Sequence, residues 1–190
     1  MHLTPRAGFR NGNKTKIRNL SGFKYLTGLK SKKINKKDMK TIIVPGVGFG
    51  DLKFGMSEEE VVGLLGKPDE IEVQEMDDDE SINIYYYDNI GISMSFDSME
   101  EFRLVEFAFD DSRFVLENEL FPGMTKELFL KHAEELGDYD VDDLTGEDSD
   151  VTELYVFEDK NINVWIKDGV VDTIQIGPFW SDDENIKWPG

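Results

Sequence analysis

Apolar residues recur along the chain in two rhythms. After Ser57, the residues Val61, Leu64 and Leu65 fall at the spacing of one helix stripe. Ser57 is suited to cap that helix and Glu60 to reach back to it, a capping box. Glu58, Glu59 and Glu60 also sit where the helix dipole favours negative charge. Gly66 stops the helix and Pro68 prevents its resumption. The pattern predicts a second helix after Thr125, with Phe129, Ala133 and Leu136 on one face and Gly137 as its stop. Each helix is followed by residues alternating with period two, the strand rhythm. In the first stretch Ile82, Ile84 and Tyr86 oppose Asn83, Tyr85 and Tyr87. Ile92, Met94 and Phe96 then alternate with Ser93 and Ser95, and Val105, Phe107 and Phe109 with Leu104, Glu106 and Ala108. In the second stretch Leu154 and Val156 lead to Ile162, Val164 and Ile166, with Asn163 and Trp165 opposite. Asp168-Gly169 is a tight hairpin signal before Val171–Ile176.

The two halves share a short signature. Gly55-Met56-Ser57 returns 68 residues later as Gly123-Met124-Thr125. The fold class expected is therefore α+β: a tandem repeat of one helix packed on a three-stranded antiparallel meander, the two units forming a long antiparallel sheet. The expected units are 46–112 and 113–180, within one acidic domain 41–190 that ends in a C-terminal segment.

Charge divides the chain at Lys40. Residues 1–40 carry twelve Lys and Arg against one acid, Asp38, a balance of +11. Residues 41–190 carry nine bases against 39 acids, a balance of −30, so the net −19 describes neither part. Six lysines crowd into Lys30–Lys40. Three readings of 1–40 stay open: a disordered basic arm for nucleic acid or anionic membrane, a targeting segment, or a non-native tail preceding a start at Met39. The acidic body repels phosphate and is not expected to bind nucleic acid. No apolar run approaches the roughly 20 residues of a membrane span, so no membrane insertion is expected. A cytoplasmic location is expected.

Composition narrows the chemistry further. With no cysteine and only His2 and His132, the chain has no thiolate or multi-histidine metal site. Asp138, Asp140 and Asp142 open like a calcium loop, but Asp143 takes the turn-glycine position and Ser149 the bidentate position. That segment and Asp77-Asp78-Asp79-Glu80 read as solvated loop charge. Gly46-x-Gly48-x-Gly50 lacks the Lys-Ser/Thr of a phosphate loop and reads as flexible entry to the first strand. Ser57 and Thr125 are caps before they are nucleophiles, and no carboxylate pair stands out among 40 acids. No catalytic residue, metal or cofactor is expected.

The segment Gly55-Met56-Ser57-Glu58-Glu59-Glu60-Val61-Val62-Gly63-Leu64-Leu65-Gly66-Lys67-Pro68 resembles the opening motif of the SmpA/OmlA small outer-membrane lipoproteins. Its duplication resembles the plan of the β-lactamase inhibitory protein family. The second unit departs from the motif: its helix segment is three residues longer, and Asp138-Tyr139 stands in place of Lys67-Pro68. The resemblance implies a non-catalytic protein-binding scaffold. Combined with the body's charge, it suggests an inhibitor or immunity-type protein for a basic protein partner. The alternatives are an envelope or assembly scaffold related to SmpA/OmlA, or an uncharacterised hydrolase. If the helices cover the face made by Ile82, Ile84, Val105, Ile162, Val164 and Ile174, the other face presents Tyr85, Tyr87 and Trp165. These three are the expected partner-binding residues unless the C-terminal segment, Phe179 to Pro189, packs over them.

Overall fold

The structure, a computed structural model, describes residues 42–76, 80–116, 119–145, 151–182 and 185–190. The basic segment 1–40, the aspartates 77–79 and residues 146–150 lie outside the described residues. Fourteen strands and two helices follow one another in these residues. The first group is β1 (Ile42–Val44), β2 (Gly48–Phe49), β3 (Leu52–Lys53) and α1 (Glu58–Leu65). Then come β4 (Glu70–Glu75), β5 (Ser81–Tyr87), β6 (Ile92–Asp97), β7 (Arg103–Phe109) and β8 (Val115–Leu116). The second half holds α2 (Lys126–Leu136), β9 (Asp140–Asp143), β10 (Val151–Phe157), β11 (Ile162–Lys167) and β12 (Val170–Ile176). A terminal hairpin, β13 (Phe179–Trp180) and β14 (Ile186–Lys187), closes the chain.

The expected α+β class is overturned. Of the described residues 47% are strand and 18% helical, and the chain is mostly β. The organising unit is not a helix on a three-stranded meander. It is one antiparallel sheet of eight strands in the order β4-β5-β6-β7-β12-β11-β10-β9. Each half contributes four strands, and the two left out of the expectation, β4 and β9, are its acidic edges. Their sequences, Glu-Ile-Glu-Val-Gln-Glu and Asp-Val-Asp-Asp, carry too few apolar residues to read as strands. Such charge is what a sheet edge uses to discourage pairing with another chain.

The helices form as their termini dictate. Ser57 accepts from the Glu60 amide at 3.3 Å while Glu60 Oε2 accepts from the Ser57 amide at 2.8 Å, a complete capping box. Thr125 Oγ1 caps α2 by accepting from the Leu128 amide at 3.3 Å. Gly55 and Gly123 have φ of +84° and +90°. Each turns the chain so that the following residues pair with the last strand of their own half. Gly55 N donates to Leu104 O and Leu104 N to Met56 O; Gly123 N donates to Val171 O and Val171 N to Met124 O. The Gly-Met-Ser/Thr signature thus fastens each helix entrance to the sheet. Asp168 and Gly169, at φ +51° and +75°, form the tight turn between β11 and β12.

A second sheet, ordered β3-β2-β1-β8, lies over one face of the large one. Its β1 and β8 run parallel, pairing Ile43 with Leu116. The glycine-rich Gly46–Gly50 segment is built into this hairpin and is not a flexible lead-in. It delivers Phe49, whose ring meets Phe107, Phe109 and Phe114 edge-on at 5.3, 5.4 and 5.3 Å. In the second half Phe129 of α2 meets Tyr155 at 4.8 Å. Val61 and Ala133, from the two helices, and Ile43 and Leu52, from the small sheet, are buried in one cluster with these rings. The core therefore lies on a single face of the eight-stranded sheet. Among the described residues no helix is long and apolar enough to cross a membrane.

The C-terminal segment packs on the core side. Trp188 lies against the core cluster and over Gly55, where an added Cβ would come within 2.8 Å of its ring. Gly123 has open space at the equivalent position. Gly123→Ala should cost about 1–2 kcal/mol from backbone strain alone. Gly55→Ala should cost about 1–3 kcal/mol more, because the indole must move. Urea-denaturation midpoints measure the difference, and equal costs would show that Trp188 contributes no packing constraint.

Candidate functional site

Register decides which side chains share a face. Tyr85 pairs with Met94, and Met94 with Phe107; Tyr87 pairs with Ile92, and Ile92 with Phe109. Both tyrosines therefore stand on the covered face, 4% and 5% exposed. This corrects the sequence-based assignment of Tyr85 and Tyr87 as partner-binding residues: they are core residues. Pairing with β6 turns them inward, and their hydroxyls are accommodated there. A buried phenol requires a polar partner, and the ends of α1 supply two. Tyr87 Oη donates at 2.9 Å to the carbonyl of Gly66, one of the acceptors that a helix C-terminus leaves unsatisfied. Tyr85 interacts with the Glu58 carboxylate at the other end of α1, beside Asn83, whose Nδ2 donates to Glu58 Oε1 at 2.8 Å. Burial, chiefly, pushes both phenols well above their ordinary pKa. Pairing with Met94 and Ile92 of β6 fixes the strand this way round, so Ile82 and Ile84 take the other face.

Trp165 lies on that other face, as expected, together with residues the sequence reading did not assign there. Cross-strand pairing runs from Tyr86 through Ser93, Ala108, Gln175 and Asn163 to Val156. A parallel row runs from Ile84 through Ser95 to Glu106. Val105 points to neither row cleanly, because it is the extra residue of a bulge between β6 and β7. These residues are absent from the core cluster, and even the buried Ile84 does not belong to it. Both helices, the small sheet and Trp188 are committed to the opposite face. Among the described residues, no element covers this one. The alternative, the C-terminal segment packed over this face, is not seen among the described residues.

The open face has a defined chemistry. Trp165 Nε1 donates to Gln175 Oε1 at 2.6 Å, which holds the indole along the sheet. Tyr86 Oη donates to Glu72 Oε2 at 3.1 Å, and burial with the nearby carboxylate pushes the phenol up to about 12. Between these aromatics lie the small side chains of Ser93, Ser95 and Ala108. Acids line both margins: Glu70 and Glu72 on β4, Asp140 and Asp142 on β9. Near the centre stands Glu106, partly buried, with the Ser95 hydroxyl 3.3 Å from its Oε1. The protein packed around it raises its carboxyl to about 7, against a smaller lowering by Ser95.

The signal for these faces lies in β6. Ile92, Met94 and Phe96 against Ser93 and Ser95 is the sharpest apolar–polar contrast in the chain, and pairing carries it outward to every neighbour. Strand β5 is apolar on both faces, so its own alternation could not orient it.

The remaining candidates fall elsewhere. Asp140 and Asp142 belong to β9 rather than to a loop, and project on the same strand face. Among the described residues no group of three or more His, Asp or Glu is placed to hold a metal ion. His132 is half-buried on α2. Lys126, at the start of α2, pairs with Glu153 at 2.7 Å and Tyr155 donates to the same carboxylate at 2.9 Å, an arrangement that fastens α2 to β10 on the covered face. Comparison of the chain with protein-family models, with curated proteins and with solved structures gave no match.

Glu106 leaves a mark on stability. An unfolded Glu releases its proton near the ordinary value of 4.5, the folded one near 7. Folded protein therefore binds this proton more tightly, so the contribution of Glu106 to stability is greatest below 4.5 and is lost as pH rises through 7. Glu106→Gln removes this slope and should raise stability at pH 8 by up to about 3 kcal/mol. Denaturation of both proteins at pH 5 and pH 8 checks it; an unchanged pH dependence in the variant would place the titration elsewhere.

Proposed function

We propose that the chain is a non-catalytic protein-binding module that neutralises or scaffolds a basic protein. Its most concrete form is an inhibitor or immunity-type protein, with the partner seated on the open face of the eight-stranded sheet. The observation that supports this reading is a broad sheet face left uncovered, with an indole and a phenol around small side chains and acids on both margins. Aromatic side chains set among smaller neighbours are typical anchors of protein interfaces. The body's −30 charge would draw in a cationic partner and disfavour an anionic one. The resemblance of Gly55–Pro68 to the SmpA/OmlA motif adds weight to a binding role. We assign the protein to the cytoplasm; recovery in a membrane fraction would favour the envelope or assembly role instead.

Affinity capture from native cells at low and at high salt tests the proposal. A basic protein should be retained at low salt and released at high salt. Trp165→Ala or Tyr86→Ala should weaken its binding about 30-fold or more, the cost of about 2 kcal/mol expected of an interface anchor. Trp180→Ala, which alters an exposed indole of the terminal hairpin, outside the eight-stranded sheet, should leave binding unchanged. Absence of a basic partner at either salt concentration, or binding indifferent to Trp165 and Tyr86, would overturn the proposal.

A further inference from the structure

The open face contains one ionisable group set back among neutral neighbours. Glu106 lies on β7, directly across from Ser95 of β6. On its other side the chain of β12 continues into Gly177, where a side chain would collide with Asn161. Ala108, two residues along β7, ends in a methyl group. The carboxylate thus stands between Ser95 and the Asn161 amide, which fills the space a Gly177 side chain would take, and it stays partly exposed beside the short side chain of Ala108. Among the described residues no cation pairs with it. The other charged groups on this face are more distant along the sheet: Asp97 at the end of β6, Arg103 at the start of β7, Glu70 and Glu72 on β4, Lys167 at the end of β11, and Asp140 and Asp142 on β9. Arg103 is engaged with Glu101 at 3.5 Å. From β5 and β12 the facing side chains, Ile84, Tyr86 and Gln175, carry no charge.

We propose that Glu106 is the specificity-determining anchor of the open face, its carboxylate receiving one lysine or arginine side chain of the basic partner. This rests on the binding reading given above and adds to it the chemistry of the central contact. A carboxylate withdrawn from water without a cation is costly. Serine, threonine or glutamine would serve the strand better if structure were the only demand. An arriving ammonium or guanidinium supplies the missing charge where water screens it least, whereas the acids of β4 and β9 are solvent-facing and attract only weakly. The same desolvation holds the free carboxyl near 7. Pairing with a cation stabilises the ionised form, so binding below that pH releases the proton to solvent. Affinity should therefore fall as pH drops below about 7, by up to about tenfold per unit.

The test uses the full chain and two small cations. The carboxyl 13C resonance of Glu106 is followed through a pH titration with ethylguanidinium, and again with tetramethylammonium, which matches it in charge but has no N–H donor. Ethylguanidinium should lower the midpoint of Glu106 by about half a unit or more, and tetramethylammonium should leave it in place. Equal effects of the two cations, or no effect of either, would overturn the anchor assignment. With the captured basic partner, Glu106→Gln, which keeps the side-chain shape, should weaken binding at pH 8 about tenfold or more and flatten its dependence between pH 6 and 8. Unaltered binding by this variant would overturn the anchor and leave the binding reading standing. Failure to capture any basic partner would overturn the reading, and the ethylguanidinium titration then decides the anchor by itself.

Discussion

Three residue pairs, Phe107 with Ile176, Ala108 with Gln175 and Phe109 with Ile174, join two four-stranded meanders into a single sheet. Everything else in the molecule is arranged around that seam. On one side it presents Phe107 and Phe109 beside Ile174 and Ile176, all fully or nearly fully buried. Their combined apolar surface is what the small sheet covers, through Phe49 and its neighbours. On the other side the seam presents Ala108 and Gln175, a methyl group and an amide. One register therefore sets both the thickest part of the core and the flattest part of the open face. A slip by a single residue would exchange them.

How far the sequence discloses this depends on the contrast within each strand. The two helices are legible in detail because caps and stops act locally: Ser57, Glu60, Thr125 and the terminal glycines do what their chemistry predicts. Strand β6 is legible because its two faces differ sharply. Strand β5 is not, since Ser-Ile-Asn-Ile-Tyr-Tyr-Tyr offers apolar residues to both sides, and only pairing with Met94 and Ile92 orients it. The misplacement of Tyr85 and Tyr87 follows directly. Strands β4 and β9 escape notice because edge protection requires the same acids that signal a loop. The small sheet is harder still: β1 and β8 are short and far apart in sequence, and nothing local announces that they will pair. Of the three residues expected at the binding face, Trp165 stands there because the second half has clear alternation at Ile162, Val164 and Ile166.

The polar groups sort into two kinds. On the covered side, the polar groups that meet the helices have defined partners: Tyr87 with Gly66, Tyr85 and Asn83 with Glu58, Lys126 and Tyr155 with Glu153. These contacts orient the helices on the sheet, and they are satisfied within the chain. On the open side, Trp165 and Tyr86 are oriented by Gln175 and Glu72 but keep one surface free. Among the described residues Glu106 has only a serine hydroxyl. This gradient, from complete satisfaction to incomplete, separates the side that builds the fold from the side left available.

The parallel pairing of β1 with β8 carries a consequence for how the chain assembles. It joins residues more than seventy positions apart, and β8 comes from the segment linking the two halves. The meanders can form from near neighbours, but the lid over their seam closes only once β1 and β8 meet. Closure of so long a loop is slow compared with hairpin formation. Folding should then be governed by a late step in which both halves commit together. Neither half carries a complete core of its own, since Phe49 and Leu116 belong to a layer that spans the seam. The halves are alike in plan yet not portable as independent modules.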